Sequence, residues 1–308
     1  MKKIFVLGLI DSAFLFGCSD DPTTTPATTP VTTGGDSATT GGGSGEGTTT
    51  LIVENTQRAF MAYVGASWCP PCGSAGGPGF KEIRKTFSND ELVGLYFAPS
   101  GVTAPYVGDG NPAPYLSTMS SNVTKSTGTI PYYSINGVNV GGAYTQPSAT
   151  LSVYRGFIDD KNAESAKLGI AAKQTLTDGA LSCEVAIEAF DEYDGDIYYS
   201  VLAVEKSAIG FQKVGGVDEY EYNHTYITRA SLIGDGTMDG QELFKSISSG
   251  SVSTGTKFSE KFSLEFENIQ AGDYIFWEYT PENTVIVASI WSKEANGEYT
   301  YVNSVIAE

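Results

Sequence analysis

The residues best placed to do chemistry are Cys69 and Cys72, in the run Trp68-Cys69-Pro70-Pro71-Cys72. Two thiols at this spacing, set at the start of a helix, form a redox device. Unpaired backbone N–H groups and the helix dipole lower the pKa of the first thiol, so its thiolate attacks disulfides. The second sulfur lies close enough to resolve the mixed disulfide. Cys69 is therefore expected as the nucleophile and Cys72 as the resolving thiol. Pro71 belongs at an early helical position, where its missing N–H costs nothing. A purely structural bridge is the alternative that the spacing leaves open. Two thiolates cannot complete a tetrahedral zinc site, and no second pair or supporting histidine stands nearby, so neither metal nor cofactor is expected.

Composition removes other chemistries. The single histidine is His224, which rules out a multi-histidine metal centre within one chain. Any Ser-His or Cys-His nucleophile would have to use that one imidazole. No phosphate-binding loop motif is present. The net charge of −18 argues against nucleic acid, because a phosphate-binding surface needs clustered Lys and Arg. Most of the negative excess follows residue 165, as in Asp191-Glu192-Tyr193-Asp194-Gly195-Asp196. A solvated acidic face that keeps the protein soluble accounts for it.

The dithiol needs a strand to deliver it and a helix to receive it. Phe60 to Val64 is expected as a buried strand ending just before Trp68. A helix is expected through Lys81 to Phe87, with Ile83 and Phe87 spaced i, i+4. Gly76-Gly77-Pro78 should break or kink it near its start. Leu92 to Phe97 is a second apolar strand. Residues 101 to 128 are a Gly/Pro/Ser-rich excursion with room for a short helix around Tyr115 to Val123. Tyr132 to Ile135, Asn136-Gly137 and Val138 to Val140 predict a hairpin with a primed turn. Pro147 then opens a helix with Leu151, Tyr154 and Ile158 on one face.

After residue 165 the pattern is all-β. Cys183, Val185, Ile187 and Ala189 alternate with Glu184 and Glu188. Further strands are expected at Ile197 to Glu205, Tyr222 to Leu232, Lys257 to Phe266, Tyr274 to Tyr279, Val285 to Trp291 and Tyr299 to Ile306. Strands at this spacing predict an antiparallel sandwich.

The N-terminus has the form of a targeting segment. Met1-Lys2-Lys3 precedes a short apolar run from Ile4 to Phe16, interrupted by Asp11. Leu15-Phe16-Gly17-Cys18 resembles the bacterial lipobox, which implies lipidation of Cys18 and anchoring to a membrane. An ordinary signal peptide with an incidental cysteine is the alternative. Residues 19 to 50 are low-complexity Thr, Pro, Gly and Ser, too apolar-poor to fold. As a flexible tether they span roughly 30 Å. Asp20-Asp21 resembles a surface-export signal of some Gram-negative lipoproteins, and Asp36-Ser37-Ala38 a short O-glycosylation acceptor. An envelope location permits disulfides.

Beyond spacing, Trp68-Cys69-Pro70-Pro71-Cys72 resembles the active-site stretch of periplasmic thiol–disulfide oxidoreductases. Thr129-Ile130-Pro131 resembles their cis-proline loop. Residues 55 to 160 also follow the thioredoxin order of strand, helix, strand, helix, hairpin, helix. The resemblance implies that Ile130 and Pro131 face the dithiol and, with Trp68, meet the substrate chain. The family commonly carries a buried carboxylate six positions before the first cysteine, and here that position is Tyr63. A phenol titrates near pH 10 and is a poor base. The whole chain is similar to the outer-membrane-protein-twenty-eight-related lipoproteins, in which a thioredoxin-like domain precedes a β-sandwich. Asn223-His224-Thr225-Tyr226-Ile227-Thr228-Arg229 resembles a strand of their second domain. That family supports an architecture rather than an activity.

Other candidates have plain explanations. His224 stands among Tyr220, Tyr222 and Tyr226 and is expected to share hydrogen bonds with them. Cys183 is expected as an inert buried thiol. Asp235 to Gly240 starts like a calcium loop, but position twelve is Ser246 rather than Glu. The abundant tyrosines could form a binding surface, though strand pairs consume such residues anyway.

The sequence thus predicts an α/β thioredoxin-like domain (51–164) followed by an all-β antiparallel sandwich (165–308), after a lipoprotein signal (1–18) and a tether (19–50). Its expected location is the outer membrane, lipid-anchored, on the periplasmic or the exposed face. Its expected partners are protein thiols or disulfides. The alternative is a non-catalytic surface lipoprotein with a structural disulfide and a partner-binding sandwich.

Overall fold

The computed structural model describes residues 51–97, 129–140, 147–234, 241–265 and 279–307. Cys18, the tether, the 101–128 excursion and the calcium-like loop at 235–240 lie outside them, as does most of the strand expected at Tyr274 to Tyr279.

The first strand, β1 (Ala59–Val64), is buried along its whole length. Both faces are covered, which is why it reads as a continuous apolar run rather than an alternation. It pairs in parallel with β2 (Leu92–Phe97) and antiparallel with β3 (Tyr132–Ile135). β3 turns into β4 (Val138–Asn139) through Asn136-Gly137, whose positive φ angles of 52° and 75° make the expected primed turn. Helices α1 (Gly77–Thr86) and α2 (Pro147–Asn162) complete this half.

Apart from a short 3-10 turn at Pro281–Asn283, the remaining described elements are strands. A small sheet holds β5 (Leu168–Leu176), β6 (Ala180–Ala189) and β12 (Lys257–Glu265), all antiparallel. β7 (Asp196–Val214) and β8 (Val217–Ser231) form a long hairpin, and β13 (Thr284–Lys293) and β14 (Tyr299–Ile306) extend the sheet beyond β7. The short strands β9 (Ile233–Gly234) and β10 (Gln241–Glu242) pair with each other, and β11 (Lys245–Ser248) pairs with β7.

A sandwich closed within residues 165–308 is not what forms. Its larger layer continues, through the parallel pairing of Tyr96 with Ile227, into β2, β1, β3 and β4. Among the described residues one mixed sheet of nine strands therefore runs through both halves of the chain. β8 makes this junction at a kink: Tyr226 holds a left-handed φ of 53°, and the β7–β8 register slips between Ala203 and Val204. The Arg84 guanidinium stacks on the Tyr226 ring, 3.9 Å from its centroid.

Among the described residues the three larger cores follow from strand alternation. Tyr199, Val201 and Ala203 of β7 face Leu181, Cys183, Val185 and Ile187 of the small sheet. The intervening Leu202 and Val204 face the other way, onto Phe60, Ala62 and Val64 of β1 and Val93, Leu95 and Phe97 of β2. Met61, Tyr63, Leu92 and Tyr96 then look to the helices, meeting Phe80, Ile83, Tyr154 and Ile158. The order is helices, dithiol-bearing strands, central β layer and small outer sheet. Thr49–Glu308 forms one compact unit.

Candidate functional site: a buried dithiol

β1 ends at Val64 and delivers Trp68 and Cys69 to the start of a helix, where Cys69 and Cys72 are joined as a disulfide with Cα atoms 5.2 Å apart. The helix does not open as a regular α-helix. Cys72–Gly76 forms a π turn, closed by the Gly77 N–H on the Cys72 carbonyl, before α1 begins. The cause is Pro78, which has no N–H to return to the Ser74 carbonyl and so displaces the hydrogen-bond pattern by one residue. The kink expected from Gly76-Gly77-Pro78 is this turn. Two phenols reinforce it: the Tyr63 hydroxyl donates to the Cys72 carbonyl at 3.3 Å, and the Tyr133 hydroxyl donates to the Gly76 carbonyl.

The Cys72 N–H points at the Cys69 sulfur, 3.2 Å away. Ile130 packs on Ala66, Cys69 and Cys72. The Ile130–Pro131 peptide is cis, and the Pro131 ring abuts Gly76, where an added Cβ would come within 2.7 Å of it. Trp68 is 54% exposed beside the pair, whereas Cys69 and Cys72 are 3% and 1% exposed. The residues singled out at positions 68, 69, 72, 130 and 131 therefore share one locality, with Cys18 outside the described residues.

Beneath the dithiol lies an aromatic slab. Tyr63 stacks on Tyr96 (4.8 Å) and Phe80 (5.4 Å) and tilts against Tyr133 (5.2 Å). Burial, reinforced by Tyr96, Tyr133 and Tyr222, holds the Tyr63 phenol well above its ordinary pKa. It serves as a donor to the π turn and not as a base. His224 completes the slab, 4.9 Å from the Tyr222 ring and 6.0 Å from the Tyr96 ring. Its Nε2 lies 3.2 Å from the Phe211 carbonyl, so its hydrogen bond goes to backbone and not to the neighbouring tyrosines. Burial is the main cause that lowers its pKa to about 4, so it is neutral at pH 7. Cys183 lies in the sandwich core, where burial raises its thiol to about 12. Among the described residues no cluster of His, Cys, Asp or Glu could hold a metal. A cleft of about 700 Å³ is lined by Arg58, Asp90, Ile170, Lys173 and Ile306, away from the residues around the disulfide.

The residue that sequence reasoning missed is Gln212. It stands near the tip of the β7–β8 hairpin, buried, and its side-chain amide donates to the carbonyls of Cys69 (3.1 Å) and Ala66 (3.2 Å). The next residue, Lys213, donates its backbone N–H to Ser67 at 2.6 Å. Gly73 lies so close that a Cβ there would run into the Lys213 carbonyl and come within 2.7 Å of the Gln212 side chain. The available signal was Gly215-Gly216 between two valines, with φ of 56° and 96°, a two-residue hairpin turn.

No protein-family model matches the chain, and no curated protein matches it. Among solved structures the chain is similar to HBP35 of Porphyromonas gingivalis, with a TM-score of 0.56 and 11% identity over 82% of this chain and 74% of that one. At that identity the likeness concerns the fold. A β-glucosidase from Kluyveromyces marxianus matches 46% of this chain and 14% of its own, with a TM-score of 0.20 and 13% identity, too low to indicate a common fold.

Proposed function

We propose that this chain is a lipoprotein of the outer membrane, anchored through Cys18, whose thioredoxin-like half exchanges disulfides with envelope or secreted proteins. The carrying observation is the Cys72 N–H aimed at the Cys69 sulfur at a helix start. When the bond is reduced, that donor and the helix dipole favour thiolate at Cys69 over Cys72. In the reductive direction, the Cys69 thiolate attacks a substrate disulfide and expels one substrate thiolate. Cys72 then displaces the second, so the substrate leaves as a dithiol and the Cys69–Cys72 bond re-forms. Ile130 and the cis Pro131 line the approach, and exposed Trp68 offers the substrate chain an apolar contact. The likeness to HBP35 supports the architecture alone.

A static bridge is the second reading, favoured by two specific observations: both cysteines are buried and the loop is held by Gln212. Redox titration of the full-length chain, with thiols trapped by an alkylating mass tag, separates the two. An exchanging pair gives a reversible midpoint between about −120 and −270 mV that vanishes in Cys69→Ser. A pair still oxidised below about −300 mV overturns the oxidoreductase proposal. Cys183 is the internal control, since its buried thiol should resist alkylation in the native fold.

A further inference from the structure

We infer that the tip of the β7–β8 hairpin is a cap on the dithiol, and that it must lift before Cys69 can exchange; this rests on the oxidoreductase proposal. The cap comes from the far half of the chain and grips the loop at three backbone carbonyls within four residues. Gln212 binds Ala66 and Cys69, and the Lys213 N–H binds Ser67 between them. Glycine at position 73 lets the two backbones approach to contact. Cys69 is 3% exposed, with Ile130 packed on the pair and the hairpin bonded to the loop that carries it. Displacement at sulfur needs the nucleophile in line with the breaking S–S bond.

Three further features mark the cap as detachable. The β7–β8 register slips between Gly210 and Gln212, which gives a flexing point at the base of the tip. Below it the seat is incomplete: among the described residues the buried Tyr222 hydroxyl finds no hydrogen-bond partner, and a void of about 10 Å³ lies among Tyr63, Lys81, Gln212, Tyr222 and His224. Beyond it, Val217 and Tyr220 are 69% and 68% exposed, so the tip itself carries little anchoring burial. The gripping bonds are few, and the strand that bears them is hinged.

Opening followed by attack has a kinetic signature. Full-length oxidised protein is mixed with dithiothreitol over a wide concentration range, quenched, and scored for free Cys69 and Cys72 by mass tag. In the reaction one dithiothreitol thiolate attacks Cys69, Cys72 leaves as thiolate, and the second reductant thiol releases Cys69, oxidising dithiothreitol to its cyclic disulfide. The wild-type rate should reach a plateau set by cap opening. Gln212→Ala, which removes the grip, and Gly73→Ala, which pushes the hairpin off from the other side, should each raise that plateau about tenfold. That is the factor expected from losing one or two hydrogen bonds of ordinary net strength. A wild-type rate that climbs linearly with dithiothreitol, unchanged in both variants, overturns the cap. The equilibrium midpoint tests the oxidoreductase proposal separately, since a gate changes rates without fixing the potential.

Discussion

His224 shows how one side chain acts through its surroundings. Held neutral between Tyr96 and Tyr222, with its pKa lowered to about 4, it binds a proton more weakly folded than unfolded. The unfolded chain, with an ordinary imidazole near 6.5, takes up the proton first as pH falls. This contribution to stability is complete above pH 6.5 and is lost as pH falls toward 4, and it amounts to at most about 3 kcal/mol. Urea unfolding of His224→Gln between pH 7 and 4.5 should therefore show a shallower loss than wild type. Identical slopes would mean that His224 is solvated in the native state. Tyr63 is the complementary case. Its type and position were plain in the sequence as a departure from an acidic position, but its use as a donor to Cys72 depends on a π turn that no periodicity announces.

Among elements, the β7–β8 hairpin carries most of what was not legible. Ile197 to Glu205 is a near-continuous apolar run, but residues 206 to 214 mix Lys, Ser, Gly and Gln with apolar residues, so the strand reads as ending at Glu205 when it runs to Val214. β5 escaped for a related reason, since Gly169, Ala171 and Ala172 are weak strand formers. The β3–β4 hairpin, by contrast, is announced by Asn136-Gly137. The base of the long hairpin is held by a buried ion pair, with Arg229 Nε and Nη2 at 2.8 and 2.6 Å from one Glu205 oxygen. Asn283 reaches the other oxygen at 3.2 Å. Arg229→Met alone should cost about 3–5 kcal/mol, because it strands a buried carboxylate. The double variant Glu205→Met/Arg229→Met should recover most of that loss in urea titrations. A double variant as unstable as the single one would show that packing, and not the charge, is what Arg229 supplies.

For the whole molecule, the continuous sheet changes what counts as a domain. The sequence places a boundary at residue 164 because composition changes there. No local signal tells that Tyr96 will pair with Ile227, since that contact depends on two strands meeting from distant parts of the chain. In consequence Phe60, Ala62, Val64, Val93, Leu95 and Phe97 are covered by Leu202, Val204, Val287 and Trp291. A fragment of residues 51–164 would expose that entire face. It should bind a hydrophobic dye and melt without a cooperative transition, whereas residues 51–308 should unfold in one step. A sharp, dye-free transition in the fragment would show that the dithiol half closes its own core.

The grip of Gln212 on Cys69 spans 143 positions of chain. During synthesis both cysteines of the pair are therefore made long before the hairpin that shelters them. For that interval they are open to any oxidant or thiol in the surroundings. Cys183 follows while β6 still lacks its partner β12, so it joins Cys18, Cys69 and Cys72 as the fourth cysteine of the nascent chain. Which bond forms then depends on the order of emergence: Cys69 and Cys72 can close their short ring before Cys183 exists. The close spacing of the pair thus protects the unfinished chain from mispairing.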